Sequence, residues 1–299
     1  MSSYRTGYAA VIGRPNVGKS TLINKMLKFP LSITTSKPQT TRHRILGIHS
    51  EENLQIIFLD TPGLIDPKYR MQEMMMKAAR NAMQDADVML FLVEAGERIA
   101  KRDLETIDTL KQINKPCILI INKVDLFHDK NRILPLIEAF ENLHFFELII
   151  PVSALRGENL DAVKEAIRGF LPYSPPFYPE DMISEHPERF FVSELIREQI
   201  YQFYHDEVPF STAVVIDEFR EQSDRKDYIK ARIIVERQSQ KKIIIGKNGK
   251  AIREMGKRAR KSIEDFLERP VFLECWVSVR EKWRKKDVFL KEFGLDRNA

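Results

Sequence analysis

Gly13-Arg14-Pro15-Asn16-Val17-Gly18-Lys19-Ser20 is the stretch on which the reading of this chain turns. It fits G-x-x-x-x-G-K-[ST]. It lies between Tyr8–Ile12, an apolar run that reads as a short strand, and a helical pattern from about Lys19 to Leu27. That context predicts a phosphate cradle. Glycines remove the Cβ atoms that would collide with a phosphate, and loop amides and the helix N-terminus supply positive potential. Gly13, Asn16, Val17, Gly18, Lys19, Ser20 and Thr21 are the expected contacts. Lys19 reaches the β and γ phosphates, and the Ser20 hydroxyl ligates Mg2+.

Working outward, Arg44–His49 and Gln55–Asp60 read as strands joined by a turn at Glu51–Asn53. The second ends in Asp60-Thr61-Pro62-Gly63. A carboxylate at that strand end suits a magnesium site, with the Gly63 amide toward the γ phosphate. Taken alone, D-x-P-G reads equally well as a turn. Gln72–Gln84 is Met-rich and helical, Val88–Val93 is a buried strand, and Asp103–Lys111 is a helix. Cys117–Asn122 is a further strand, and Asn122-Lys123-Val124-Asp125 follows directly.

This last motif separates guanine from adenine. Guanine presents two donors, N1–H and N2–H, that the Asp125 carboxylate can accept together. Adenine has neither and leaves the carboxylate unpaired, a mismatch that costs about 10^4 in selectivity. Asn122 is expected to bridge base and loop, and the Lys123 stem to lie along the base plane. After the strand Leu148–Val152, Ser153-Ala154-Leu155 offers amides to guanine O6. Leu160–Phe170 closes the block as an amphipathic helix. The alternation predicts an α/β domain over residues 1–173, mostly parallel, with helices on both faces and its site at strand C-terminal ends.

Pro172–Pro179 holds four prolines. It suits neither a helix nor a central strand, so residues 174–184 are read as a linker. Beyond it the pattern changes. Helix Arg189–Tyr204, strands Ser211–Phe219 and Tyr228–Glu236, helices Lys241–Ile245 and Lys250–Leu267, and strand Val271–Val279 predict a smaller α+β domain over 185–299. Between its second and third helices lies Gly246-Lys247-Asn248-Gly249. In KH domains such a G-x-x-G turn clamps the backbone of about four nucleotides. Ile243, Ile244 and Ile245 are expected to floor the groove for unstacked bases. Lys241, Lys242, Ile245, Gly246, Lys247, Asn248, Gly249 and Arg253 are the expected RNA contacts. From Arg237 to Lys261 ten basic residues face Glu254 alone, a local +9 against +5 for the whole chain. That concentration predicts a polyanionic partner and salt-sensitive binding. Trp283, among five basic residues in Arg280–Lys286, either stacks on a base or pins the tail.

Composition excludes other classes. The chain of 299 residues is 43% hydrophobic and 30% charged, ordinary for a soluble protein of two domains. No CxxC pair accompanies Cys117 and Cys275, so both read as buried reduced thiols. No apolar run has the length of a signal peptide or a membrane span, which predicts a cytoplasmic protein. No motif for a folate, flavin or methyl donor suggests an RNA-modifying enzyme. The intact lysine, serine and carboxylates argue against a dead nucleotide fold.

The order and spacing of the four nucleotide motifs resemble the translation-factor-related P-loop GTPases over roughly Tyr8–Leu171. The helix-strand-strand-helix-helix-strand order of the second domain resembles the type II KH arrangement. Together they resemble the Era family of bacterial ribosome-assembly GTPases over nearly the whole chain. The telling runs are Gly13–Ser20, Gln39–His43, Asp60–Leu64, Asn122–Asp125 and Gln240–Gly249. The resemblance implies GTP and GDP as ligands with Mg2+. It implies binding near the 3′ end of 16S-type rRNA on the 30S subunit, and peripheral contact with the inner membrane face; no DNA partner is expected. It places switch I at Pro38-Gln39-Thr40-Thr41-Arg42, with Thr41, or alternatively Thr40, closing over the metal. It suggests K+ near Asn16 in place of an arginine finger. Leu64 stands where many signalling GTPases hold a water-orienting glutamine, so slow intrinsic hydrolysis is expected.

Overall fold

The computed structural model describes residues 3–35 and 37–295. Met1 and Ser2 of the expected first domain, residues 296–299 of the second, and Ser36 lie outside the described residues. Two sheets organise the chain. The first has six strands: β1 (Arg5–Gly13), β2 (Ile45–Glu51), β3 (Leu54–Asp60), β4 (Val88–Glu94), β5 (Cys117–Asn122) and β6 (Leu148–Pro151). Their order is β2-β3-β1-β4-β5-β6, and all neighbours are parallel except β2 and β3. Strands covered on both faces need continuous apolar runs. Accordingly, β3 and β5 are buried at every residue and β4 at all but Glu94.

Helices α1 (Lys19–Leu27), α2 (Arg70–Asp85), α3 (Lys101–Lys111), α4 (Leu134–Glu141) and α5 (Leu160–Phe170) accompany this sheet. Alternating residues of each strand feed two cores. Ala9, Val11, Phe58 and Leu90 join one, and Ala10, Ile12, Leu59 and Phe91 the other. The short α4 was not expected; its eight residues begin at Leu134-Pro135, and the proline rigidifies its first turn.

The second sheet is β7 (Ala213–Arg220), β8 (Asp227–Val235) and β9 (Val271–Val279), with β7 antiparallel and β9 parallel to β8. One face carries α6 (Glu188–Phe203), α7 (Gln238–Ile245) and α8 (Lys250–Leu267) around Ile196, Ile200, Ile229, Met255 and Ile263. The tail adds a 3-10 turn, Trp283–Lys285, and α9 (Asp287–Glu292), neither of which was expected.

The segment expected as linker carries no helix or strand and is strapped to the first sheet. The fully buried Gln55 carboxamide accepts from the Phe177 and Tyr178 amides at 2.8 and 3.0 Å and donates to Tyr178 O at 2.9 Å. Further on, Ile48 N donates to Ile183 O at 2.8 Å.

The expected switch I and helix α2 both face the second domain. The methionines of α2 (Met71, Met74, Met75 and Met76) share a core with Ala213, Ile234, Trp283, Leu290 and Leu295. Unbranched thioether chains suit an interface whose partner must fit closely without being fixed in shape. Arg70 pairs with Asp287 at 2.7 Å at the rim. Trp283 is fully buried, its indole N–H donating to Ser211 O at 2.9 Å, so of the two readings the pinned tail holds and base stacking does not.

Candidate active site and nucleic-acid groove

A cleft of about 560 Å³ opens at the C-terminal ends of the parallel strands. Its walls include Asn16, Gly18, Lys19, Ser20, Thr21, Gly63, Lys123, Asp125, Ala154 and Leu155. Thr40, Thr41 and Asn122 also line it, while Gly13, Val17, Asp60 and Ser153 are not among its lining residues. Val17, Asp60 and Ser153 are themselves buried.

The loop before α1 closes tightly. Gly18 has φ 103°, and a Cβ there would sit 2.1 Å from Asn122 Nδ2, so only glycine fits. The Lys19 ammonium donates to Gly13 O at 3.0 Å and Arg14 O at 2.9 Å. Burial lowers its pKa to about 8, against a smaller opposing pull from Asp60. Asp60 is fully buried, and that burial raises its pKa. Its Oδ2 accepts from Ser20 Oγ at 2.9 Å and lies 3.5 Å from Thr41 Oγ1, while the two hydroxyls are 3.1 Å apart. Asp60 Oδ1 is buried with no hydrogen-bond partner. An orphaned carboxylate oxygen beside two hydroxyls is an oxygen donor set that fits a hydrated hard cation. Thr41 brings its side chain to this point, whereas Thr40 presents its carbonyl to Arg197.

At the other end, Asn122 ties loops together. Its Nδ2 donates to Val17 O at 2.7 Å and its Oδ1 accepts from Ala154 N at 2.9 Å. The expected bridge to the base is left with the second amide hydrogen and one Oδ1 lone pair. Ser153 Oγ donates to Asp125 Oδ1 at 2.5 Å and fixes the carboxylate. The Lys123 ammonium lies 3.0 Å from Glu94 Oε2 at the end of β4. Sequence reasoning missed Glu94; its signal was an acid closing an otherwise apolar strand. Leu64 N donates to Gly13 O at 3.1 Å, and its side chain packs partly buried against apolar neighbours.

The second site is a groove of about 580 Å³ between α8 and β9, lined by Gly249, Ile252, Arg253, Gly256, Lys257, Arg260, Leu273 and Cys275. Gly246 (φ 71°, ψ 178°) makes the turn into it, and a Cβ there would lie 2.6 Å from Ala251 Cβ. Lys247 and Asn248 are exposed in the turn, and Ile245 is partly buried at the end of α7. Lys241 and Lys242 lie on α7 and do not line the groove.

The expected apolar floor is corrected. Ile244 is buried in the domain core and Ile243 is 49% exposed, because consecutive residues of α7 point in different directions. Ile252, Leu273 and Cys275 supply the apolar lining instead. Cys275 is thus partly buried rather than buried, and desolvation pushes its thiol up to about 12, so it stays protonated. Cys117 is buried as expected.

A G-x-x-x-x-G-K-S loop, a carboxylate–hydroxyl centre and an Asn-Lys-Val-Asp turn at the strand ends of one doubly wound sheet define a P-loop GTPase domain, here joined to a KH domain. The family model described as 50S ribosome-binding GTPase matches residues 8–123, and the KH domain model matches 207–284. Among solved structures, an Aquifex aeolicus Era variant bound to GDP·AlF4− is 42% identical, with 97% of this chain and 99% of that one covered and a TM-score of 0.94. Era in complex with MgGDPNP and nucleotides 1506–1542 of 16S ribosomal RNA is also 42% identical, with coverage of 98% and 99% and a TM-score of 0.94. The chain belongs to the Era family. Among the described residues no helix is long and apolar enough to cross a membrane.

Proposed function

We propose that this chain binds GTP with Mg2+, hydrolyses it slowly to GDP and phosphate, and grips single-stranded RNA near the 3′ end of small-subunit rRNA during 30S assembly. The observation that carries the reading is the convergence on one cleft of Lys19, at the start of α1, and Asp125, just after β5, with Asp60 at the end of β3 buried behind Ser20. Era structures with a GDP·AlF4− complex, and with MgGDPNP and 16S rRNA, support it.

In this reading residues 1–173 form the nucleotide unit, 174–184 the strap and 185–299 the RNA unit. Asp125, held by Ser153, accepts guanine N1–H and N2–H. Lys123 lies along the base with its ammonium anchored on Glu94. The amide of Leu155 serves guanine O6, which the Ala154 amide reaches only as a shared donor because Asn122 Oδ1 already accepts from it. Lys19 neutralises β and γ phosphate charge, joined by amides from Asn16 to Thr21 and from Gly63. Ser20, Thr41 and Asp60 would hold Mg2+, which supplies further charge neutralisation at the phosphates, and Asn16 would border K+. Leu64 has no group to orient water, so positioning falls to backbone and switch groups and the basal rate is low.

Lys257 and Arg260 join Lys247 and Arg253 on the RNA backbone, and splayed bases meet Ile252 and Leu273. Because α2 and switch I both touch the KH domain, the nucleotide state biases the pose in which RNA is held. We place the protein in the cytoplasm, with peripheral contact at the inner membrane face.

Phosphate release from GTP and from ATP, each in potassium and in sodium buffer, tests the catalytic reading. Release from GTP alone, faster in potassium, is expected. ATP turnover equal to GTP turnover would overturn it, and equal rates in the two salts would remove the K+ site.

A further inference from the structure

Switch I is laced to the KH domain residue by residue. Tyr201 Oη donates to Gln39 O at 3.1 Å. Arg197 Nη2 donates to Thr40 O. The Arg42 guanidinium, buried, donates to Thr212 O at 2.7 Å, to Pro209 O and Phe210 O at 3.2 Å each, and to Tyr201 Oη at 3.3 Å. Thr41 alone of these four sends its hydroxyl the other way, to Ser20 and Asp60. With its neighbours on both sides fixed, Thr41 has little backbone freedom left.

Arg197 is built for one pose. Its side chain is 3% exposed and its partner Glu194 9% exposed, so neither is a surface pair. Nε donates to Glu194 Oε1 at 2.8 Å, Nη2 also reaches Glu194 Oε2, and the guanidinium lies 5.5 Å from the Tyr201 ring centroid. A fork gripped at both prongs by one carboxylate has a set direction, which a lysine cannot reproduce. Nη1 is left buried without a partner. A pair selected only for stability would be expected to satisfy it.

We propose that Arg197, aimed by Glu194, is a positioning residue for GTP hydrolysis: from the KH domain it sets Thr41 at the metal site. The inference rests on Thr41 being the switch I threonine of the proposed GTPase. The KH domain then acts on turnover as well as receiving its signal.

The test uses full-length Arg197→Lys, Arg197→Met and Tyr201→Phe, with Arg220→Met as a distant KH control. Single-turnover hydrolysis should slow about tenfold in both Arg197 variants and less in Tyr201→Phe, as expected when a reacting group is misplaced. The Mg2+ concentration giving half-maximal rate should rise, while GDP affinity stays within about twofold of wild type. Amide exchange across residues 37–43 should quicken in the nucleotide-free, metal-free variants, a readout independent of turnover. RNA retention reports that the KH domain is folded. Should Arg197→Met lose RNA, Arg197→Lys and Tyr201→Phe decide the question.

Folded variants with wild-type rate, Mg2+ dependence and exchange would overturn the proposal while leaving the GTPase reading intact. A wild-type protein that releases no phosphate would overturn the GTPase reading, and this one with it.

Discussion

The nucleotide cleft and the RNA groove are built on opposite principles. In the cleft the central polar side chains are locked by named partners: Asn122 by the backbone of Val17 and Ala154, Asp125 by Ser153, Lys123 by Glu94, and Ser20 by Asp60. In the groove Arg253, Lys257 and Arg260 are exposed, and Arg260 lies no closer than 3.9 Å to its i,i+4 acid, Glu264. A preorganised polar site discriminates between ligands because a wrong ligand strands buried groups. An array of exposed cations over an apolar floor attracts polyanions broadly, and shape at the glycine turn limits what fits. On the proposed reading, selectivity is concentrated in one half and salt-sensitive affinity in the other.

The sharpest way to break that contrast is at the glycine turn. Gly246→Asp with Gly249→Asp places two carboxylates where phosphates approach, and Gly246 has no room for a Cβ. RNA retention should be abolished, a loss of about 3 kcal/mol or more from like-charge juxtaposition. GTP affinity should stay near wild type. A filter-binding assay that still retained RNA would remove the groove.

A milder probe separates the two halves by pH. Lys19 in the free cleft has its pKa lowered to about 8 by burial. Bound phosphates favour its charged form, so binding above pH 8 requires proton uptake. Affinity for GTP should be flat below 8 and decline as pH rises through 8, by about tenfold per unit at the steepest. RNA affinity, carried by exposed lysines and arginines outside the cleft, should change little over the same range. Parallel titrations by calorimetry check this, and a GTP affinity that rose with pH would contradict it.

The central strands of the first sheet were legible because burial on both faces forces apolar runs, and Cys117–Asn122 stands where that pattern placed it. Val271–Val279 also forms the expected strand, although Phe272, Glu274 and Trp276 on one face are exposed. Motifs in the cleft were legible for the same reason that it is selective: phosphate approach and base reading allow few residue types at each position. The groove floor was not legible, because Ile243, Ile244 and Ile245 look alike in sequence and only the direction of α7 sorts core from solvent. The tail helix α9 escaped notice because its apolar residues answer to α2, over 200 positions earlier, where Arg70 meets Asp287. Arg197 and Thr40 are likewise separated by 157 positions and carry no local signal of each other. Interdomain contacts of this kind become visible only once both domains are in place.

Guanine selection by Asp125 tests the account most directly. In Asp125→Asn the carboxylate that accepts two donors becomes an amide that can offer one, matching xanthine, whose edge carries a carbonyl where guanine has its amino group. Competition binding of GTP and xanthosine triphosphate to wild type and variant should show the preference inverted, with GTP losing about 10^4 in affinity. A variant that still preferred GTP over the xanthosine nucleotide would mean that residue 125 does not read the base.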